Sequence, residues 1–124
     1  MKSKTVLVID DEKVLNDAYI QVLKGAGFNA SGVISAKEGI EELEKSSPDA
    51  ILLDLNMPEM DGITFLKKVQ ILKKHPETKV IVFSTVEDNE MIQSAYSLGA
   101  CKYVLKQMLS PFDLEKIMIE ELTD

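Results

Sequence analysis

The sequence predicts an α/β fold in which a doubly wound, five-stranded parallel sheet carries helices on both faces. Short apolar runs alternate with amphipathic segments along all 124 residues. The most apolar runs are short and rich in β-branched residues and Leu, as in parallel strands that are covered on both faces. The element order is βαβαβαβαβα, which implies a parallel sheet with right-handed crossovers.

The five predicted strands differ in how apolar they are. Residues 5–9, 50–53 and 80–83 are nearly continuous apolar runs, whereas residues 28–33 and 101–105 are more mixed. Mixed runs are typical of strands at the edge of a sheet. The strand order 2-1-3-4-5 puts the three apolar runs in its centre, so the pattern agrees with a flavodoxin-like (βα)5 topology.

Each predicted helix carries apolar residues at a spacing of three or four, which gives one face that packs on the sheet. Taken in chain order, the stripes are Val14, Ala18 and Val22 together with Leu15, Tyr19 and Leu23; Ala36, Ile40 and Leu43; Leu66, Val69 and Leu72; Ile92, Ala95 and Leu98; and Leu114, Ile117 and Leu122. Turn residues separate the elements. They are Gly25-Ala26-Gly27, Ser46-Ser47-Pro48-Asp49, His75-Pro76 and Gly99.

Composition narrows the class of protein. The formal charge is -7, from 21 acidic and 14 basic residues, which argues against nonspecific nucleic-acid binding. The single cysteine, Cys101, permits no intrachain disulfide, fits a reducing compartment and is predicted to be a buried small hydrophobic residue. Neither a signal peptide nor an 18-residue apolar stretch is visible. We therefore expect a cytoplasmic protein with a single domain over residues 1–124.

Polar side chains follow the predicted strands at the rim of the sheet where ligands bind in such folds, near the switch point between strands 1 and 3. They are Asp10-Asp11 after strand 1, Asp54 after strand 3, Ser84-Thr85 after strand 4 and Lys106 after strand 5. Three carboxylates, a hydroxyl and an amine are therefore expected to converge.

This set of groups suits phosphoryl transfer. Clustered carboxylates repel one another, and a hard cation such as Mg²⁺ relieves the repulsion. Asp54 is then a candidate nucleophile that forms an aspartyl phosphate. Lys106 and Mg²⁺ would neutralise charge on the transferred group, and the Ser84 hydroxyl would donate a hydrogen bond to it.

Over essentially its whole length, the sequence resembles the receiver domains of two-component response regulators, in particular the stand-alone chemotaxis-regulator type. The matching motifs are Asp10-Asp11, Leu52-Leu53-Asp54-Leu55-Asn56-Met57-Pro58, Met60-Asp61-Gly62, Ser84 and Tyr103-Val104-Leu105-Lys106. Each motif alone is weak, but five in order at strand ends are specific.

The resemblance implies a role for each residue and a set of partners. Asp54 is the phosphoacceptor, and Asp10, Asp11 and Asp54 bind Mg²⁺ with the Asn56 carbonyl. Ser84, Thr85 and Tyr103 form the switch. The phosphodonor is a sensor histidine kinase or a histidine phosphotransfer protein, and a downstream effector protein reads the result. Direct DNA binding and membrane binding are not expected.

The sequence departs from the family at two sites. Thr85 and Val86 stand where relatives usually carry a small residue and a polar one. Gln107 follows Lys106 in place of proline, so we expect a trans peptide bond there. Ser110 is the preferred N-cap of the last helix, with Asp113 as the alternative, which leaves Met108 and Leu109 in an exposed loop.

Other interpretations remain open at this stage. Asp10 or Asp11 would also suit a helix cap, and a degenerate receiver would act as a constitutive interaction module. A flavodoxin-like cofactor binder needs a phosphate loop after strand 1, where the acidic residues would repel phosphate. A hydrolase with an aspartate nucleophile needs a second acid two residues on, where Asn56 stands, so self-dephosphorylation is expected to be slow.

Overall fold

The computed structural model describes residues 3–123, which contain five strands and six helices. The strands are β1 (Thr5–Ile9), β2 (Asn29–Val33), β3 (Ala50–Asp54), β4 (Lys79–Ser84) and β5 (Ala100–Leu105). The helices are α1 (Lys13–Gly25), α2 (Ala36–Lys45), α3 (Gly62–Val69), α4 (Ile71–Lys74), α5 (Asn89–Ser97) and α6 (Pro111–Leu122). A 3-10 turn, Lys106–Met108, joins β5 to α6. No helix in residues 3–123 is long and apolar enough to cross a bilayer.

The five strands form one parallel sheet in the order β2-β1-β3-β4-β5, which confirms the predicted topology. In the centre of this sheet, β1 pairs with both β2 and β3, so that Val8 lies opposite Gly32 on one side and Leu52 on the other. The carboxyl ends of β1 and β3 are therefore neighbours, and they carry the acidic residues.

The core lies on both faces of the sheet, because successive strand residues point to opposite sides. On one face, Ile9 and Leu53 belong to a buried cluster with Phe65 and residues of α2 to α5. On the other face, Val8 and Leu52 pack in a cluster with residues of α1 and α6. Each fully buried side chain of this size contributes roughly 1.5–3 kcal/mol, so the apolar strands hold the rim in place.

The third predicted helix is divided in two, and its expected apolar face is wrong at Leu72. Gln70 adopts the left-handed conformation with φ 51°, which ends α3 and starts α4 in a new direction. The break turns Ile71 into the core and leaves Leu72 66% exposed. Leu66 and Val69, which precede the break, are buried as predicted.

One of the two apolar rows predicted for α1 is wrong at its start. Val14 is 82% exposed and Ala18 is exposed as well, because α1 packs on the sheet through the row of Leu15, Tyr19 and Leu23.

The predicted burial of Cys101 is also wrong. Cys101 is exposed on β5, which is an edge strand and is covered less completely than the central strands. Its thiol donates a weak hydrogen bond to Glu121 (3.4 Å). At the same edge, the Tyr103 N–H donates to the Tyr96 hydroxyl of α5 (3.1 Å).

The connection from Lys106 to α6 follows the local sequence. No cis peptide bond occurs in the described range, so the Lys106–Gln107 bond is trans as expected. Ser110 is the N-cap of α6, where its hydroxyl and the Asp113 carboxylate form a reciprocal capping box. Met108 is 69% exposed, whereas Leu109 is half-buried against the core, so the expected apolar loop is only partly exposed.

A buried amide holds the site end of β1 to α1. The Asn16 side chain of α1 donates hydrogen bonds to the backbone carbonyls of Asp10 (3.0 Å) and Val33 (2.8 Å). It fits because Gly32 has no side chain: a Cβ there would overlap the Asn16 Oδ1 and lie 2.7 Å from Ile20 Cδ1. Asn16 therefore fixes the backbone that carries Asp10.

Gly32→Ala should consequently destabilise the protein by about 2 kcal/mol or more, because it must displace a buried, hydrogen-bonded amide. Urea unfolding measures this loss. Gly25→Ala is the matched control, because no atom lies within 4 Å of the added Cβ at the end of α1. Equal stability of the two variants would contradict the role given to Asn16.

Candidate functional site

The carboxyl ends of the strands bring four of the predicted residues together. Asp10 follows β1 and is 0% exposed, and Asp54 is the last residue of β3 and is 1% exposed. Ser84 ends β4 and is fully buried, while Lys106 begins the turn after β5. The parallel topology therefore delivers carboxylates, a hydroxyl and an amine to one rim, as the sequence predicts.

Lys106 is the centre of this group. Its Nζ lies 2.9 Å from Glu12 Oε1, 3.2 Å from Asp54 Oδ2 and 3.3 Å from Asp10 Oδ2. The Lys106 side chain is only 8% exposed, and Nζ lies 5.3 Å from the centre of the Phe83 ring. That ring packs edge-to-face against Tyr19. One ammonium thus lies close to three carboxylates and over the Phe83 ring.

The charges in the site do not balance, because three carboxylates meet one ammonium. Burial raises the pKa of Asp54 to about 6, although the Asn56 N–H and the Lys106 charge oppose this rise. Burial alone would lower the pKa of Lys106, but the Glu12 hydrogen bond and the charges of Asp54 and Asp10 raise it above its usual value. The site therefore keeps its ammonium and carries excess negative charge.

Among the described residues, one oxygen of Asp10 has no hydrogen-bond donor. Asp10 Oδ1 accepts a hydrogen bond from the Glu12 N–H (3.0 Å). Asp10 Oδ2 is buried and accepts no hydrogen bond from residues 3–123, although Lys106 Nζ lies 3.3 Å away. A buried carboxylate oxygen left in this state is unfavourable. The residues present therefore fit a divalent cation, since Mg²⁺ prefers carboxylate oxygens and would satisfy Oδ2.

Glu12, not Asp11, lies beside the other two carboxylates. Single oxygens of Asp10, Glu12 and Asp54 all lie within 4.8 Å of one another. Asp11 is half-buried, and within residues 3–123 its side chain makes no hydrogen bond or ion pair. Glu12 was not among the site residues predicted from the sequence, although its position directly after Asp10-Asp11 makes it a third acidic residue at the same strand end. Glu12 is the N-cap of α1, so neither Asp10 nor Asp11, the two candidate cap residues, takes that position. The Asp10 carboxylate does accept a hydrogen bond from the Glu12 N–H.

The Asn56 side chain connects the predicted hydroxyl groups. Asn56 N–H donates to Asp54 Oδ1 (2.9 Å). Its side-chain oxygen accepts hydrogen bonds from Ser84 Oγ (2.8 Å), Thr85 N (3.2 Å) and Thr85 Oγ1 (3.3 Å). The Ser84 hydroxyl therefore points to the Asn56 amide and has an acceptor near Asp54.

Tyr103 lies farther from the carboxylates but contacts the same loop. Its hydroxyl donates to the Val86 carbonyl (2.6 Å), and the ring is half-buried against the core. The Val86 N–H in turn donates to Ser84 Oγ (3.1 Å). The predicted switch residues are thus linked through the segment between β4 and α5.

Comparison with known proteins agrees with this architecture. Residues 6–119 match the response regulator receiver domain family. The chain is 34% identical over 116 residues to the chemotaxis protein CheY of Treponema pallidum, covering 91% of this chain and 76% of that protein. It is also 34% identical over 116 residues to the DNA-binding transcriptional regulator NtrC of Escherichia coli K12, covering 94% of this chain but only 24% of that much longer protein.

Solved structures show the same fold. A CheY-like response regulator receiver domain protein from Methanospirillum hungatei JF-1 superposes with a TM-score of 0.89 at 27% identity, covering 98% of this chain and 94% of that one. The fold, the rim of charged groups and the match over residues 6–119 lead to one conclusion. This chain belongs to the receiver domains of response regulators, which take phosphoryl groups from histidine kinases or phosphotransfer proteins, and it is a phosphorylation-dependent switch of two-component signalling.

Proposed function

We propose that Asp54 is the phosphoacceptor, that Mg²⁺ assists the transfer, and that residues 1–124 work as a single receiver domain in the cytoplasm. The contact between Asp54 and Lys106 carries the proposal. Asp54 is buried at the end of a central strand, and its Oδ2 lies 3.2 Å from the Lys106 ammonium. A buried carboxylate beside a fixed cation suits attack on a phosphorus atom that carries negative oxygens.

In the transfer, Asp54 acts as the nucleophile towards a phosphohistidine. The bond between a carboxylate oxygen and phosphorus forms while the phosphorus–nitrogen bond to the donor breaks, and the histidine nitrogen keeps the electron pair. The Asn56 N–H holds Asp54 Oδ1, which orients the carboxylate. Lys106 Nζ already lies 3.2 Å from Asp54 Oδ2, and it neutralises charge on the phosphoryl oxygens.

The proposed metal ligands include the one buried carboxylate oxygen without a hydrogen bond, Asp10 Oδ2. Asp10 and Asp54 would hold Mg²⁺ together with the Asn56 carbonyl and Asp11, whose side chain makes no ion pair within residues 3–123. Glu12 already pairs with Lys106 at 2.9 Å and serves as the partner of that ammonium. When bound there, Mg²⁺ supplies positive charge that offsets the charge of the carboxylates and the phosphoryl oxygens.

The output is a change in protein–protein contacts. Ser84, Thr85 and Tyr103 form the switch, and a downstream effector protein recognises the surface that they alter. A domain of this kind signals and catalyses only its own transfer and slow loss of the phosphoryl group. Loss is slow because Asn56, two residues after Asp54, cannot take a proton from an attacking water. DNA binding belongs to the longer relative NtrC, and we propose none for this chain.

Acetyl phosphate should add one phosphoryl group to the wild-type protein only when Mg²⁺ is present, and intact mass measures the addition. Asp54→Asn should remain unmodified because the amide is not a nucleophile. Asp61→Asn is the control, since Asp61 is an exposed cap residue outside the site and asparagine also caps helices. Equal labelling of Asp54→Asn, or labelling that chelator leaves unchanged, would refute the assignment.

Asp54→Asn should stabilise the metal-free protein at pH 8 by about 1–3 kcal/mol, and the gain should shrink towards pH 4. The folded-state pKa of Asp54 is about 6 and its usual value is 3.8. Asp54 therefore contributes stability that is fully present below pH 3.8 and is lost as the pH rises through 6. Urea unfolding in excess chelator tests this, and a gain that is the same at both pH values would contradict it.

Asp11→Asn should weaken Mg²⁺ binding by at least about tenfold, and Glu12→Gln should weaken it less. Asp11 makes no ion pair with the residues that the structure describes, whereas the charge of Glu12 is met by Lys106. Calorimetric titration of the two variants at one pH gives the comparison. A larger loss in Glu12→Gln would assign the metal site to the carboxylates that already lie together.

A further inference from the structure

A pair of aromatic side chains from two different elements lies beside the Lys106 ammonium. Phe83 of β4 is fully buried, and Tyr19 of α1 is 7% exposed. Their ring centres are 5.3 Å apart, and the ring planes are nearly perpendicular, at 87°. Perpendicular pairs at this distance are favourable, because the positive edge of one ring meets the negative face of the other. Tyr19 therefore restrains the orientation of the Phe83 ring.

The Phe83 ring in turn attracts the Lys106 ammonium. Lys106 Nζ lies over the ring, 5.3 Å from its centre, and a cation within about 6 Å of an aromatic face is attracted to it. This attraction is stronger when the cation is removed from water, and the Lys106 side chain is only 8% exposed. Burial raises the pKa of Tyr19 while the charge of Lys106 opposes that rise, which agrees with an ammonium close to both rings.

The packing of β4 does not by itself call for an aromatic residue at position 83. The three residues before it are Val80, Ile81 and Val82, and all three are buried in the same strand. Branched aliphatic side chains suit a strand that is covered on both faces. They exert no electrostatic attraction on a cation, however. Phe83 is thus the member of this buried apolar run that is able to attract Lys106.

The ring holds Lys106 in a way that the carboxylates do not. Asp10 and Asp54 also lie within 3.3 Å of Lys106 Nζ, but both are proposed metal ligands and Asp54 is the proposed phosphoacceptor. The charge that they offer to Lys106 therefore changes during the reaction. The negative face of an aromatic ring is a permanent property of its π electrons. Phe83 attracts the ammonium equally in every state in which the two groups lie at this distance.

We propose that Phe83 is a positioning residue that keeps the Lys106 ammonium directed at Asp54. Tyr19 supports this role by holding the Phe83 ring in its perpendicular orientation. In this position Lys106 Nζ lies 3.2 Å from Asp54 Oδ2, where it meets the charge of an incoming phosphoryl group. The inference deepens the proposed function and rests on it for the reaction that Lys106 assists. The attraction between ring and ammonium in the unmodified protein is independent of that function.

The first measurement follows the Lys106 ammonium in the metal-free, unmodified protein by NMR of lysine labelled with ¹⁵N at Nζ. All 14 basic residues are lysines, and Lys106→Gln assigns the signal. Protons over an aromatic face are shifted upfield by the ring current, so Phe83→Leu should move the Lys106 signal downfield. Tyr19→Leu should move it in the same direction, because the Phe83 ring loses its restraint. Tyr19→Phe keeps the perpendicular ring and should leave the signal near its wild-type position.

The second measurement separates electrostatic attraction from packing. A phenylalanine that carries fluorine on its ring keeps nearly the same shape, but fluorine withdraws electrons and weakens the negative face. Fluorinated phenylalanine at position 83 should therefore slow the labelling of the protein by acetyl phosphate at saturating Mg²⁺. Phe83→Leu removes the ring altogether and should slow labelling by roughly three- to thirtyfold. Intact mass, followed over time, gives both rates.

Phe65 provides the matched control. It is a fully buried phenylalanine like Phe83, but it belongs to the cluster on the other face of the sheet. Phe65→Leu and fluorinated phenylalanine at position 65 should change the stability measured by urea unfolding and leave the labelling rate unchanged. If Phe83→Leu does not fold, the protein fluorinated at position 83 supplies both the Lys106 signal and the rate.

The outcomes separate this inference from the proposed function. A Lys106 signal that does not move when the Phe83 ring is removed or fluorinated would overturn the contact. Equal labelling rates for the proteins fluorinated at positions 83 and 65 would show that Phe83 only packs, which overturns its positioning role. If wild type takes no phosphoryl group from acetyl phosphate, the proposed function fails, while the Lys106 signal still decides whether Phe83 holds the ammonium.

Discussion

The Lys106 ammonium is the contact on which the whole site depends. Asp10 and Asp54 are both buried at the end of the sheet, where like charges repel strongly because little water screens them. Lys106 Nζ lies within 3.3 Å of both carboxylates and 5.3 Å from the centre of the Phe83 ring. Because one ammonium cannot balance three carboxylates, the folded domain retains negative charge that attracts a cation.

The same burial restricts access to Asp54 in the unmodified domain. Asp54 is 1% exposed, so side chains around it must rearrange before a donor reaches this carboxylate, which we propose as the phosphoacceptor. The buried Asn16 amide keeps the Asp10 backbone still during such a rearrangement, because it bonds β1, β2 and α1 together. The strand ends are therefore held rigidly, whereas the side chains at the rim are the groups that rearrange.

The features that were predicted correctly from the sequence are those that strand order and burial determine. Central parallel strands have a distinct apolar pattern, and their order brings Asp10, Asp54 and Lys106 to one rim without knowledge of any contact. The failures have local causes. The left-handed Gln70 redirects the chain before Leu72, and the incomplete cover of the edge strand β5 exposes Cys101. Glu12, the extended N-cap of α1, is the acid that pairs with Lys106. Such local features depend on tertiary packing, which the periodicity of the sequence does not encode.

The Tyr96 hydroxyl has a consequence for the solubility of the folded chain. β5 is an edge strand, and edge strands with free N–H groups are templates on which other chains extend a sheet. The Tyr103 N–H, in the middle of that edge, already donates to Tyr96. Another molecule that adds a strand there must first displace the Tyr96 hydroxyl, so this contact protects the domain against edge-to-edge aggregation.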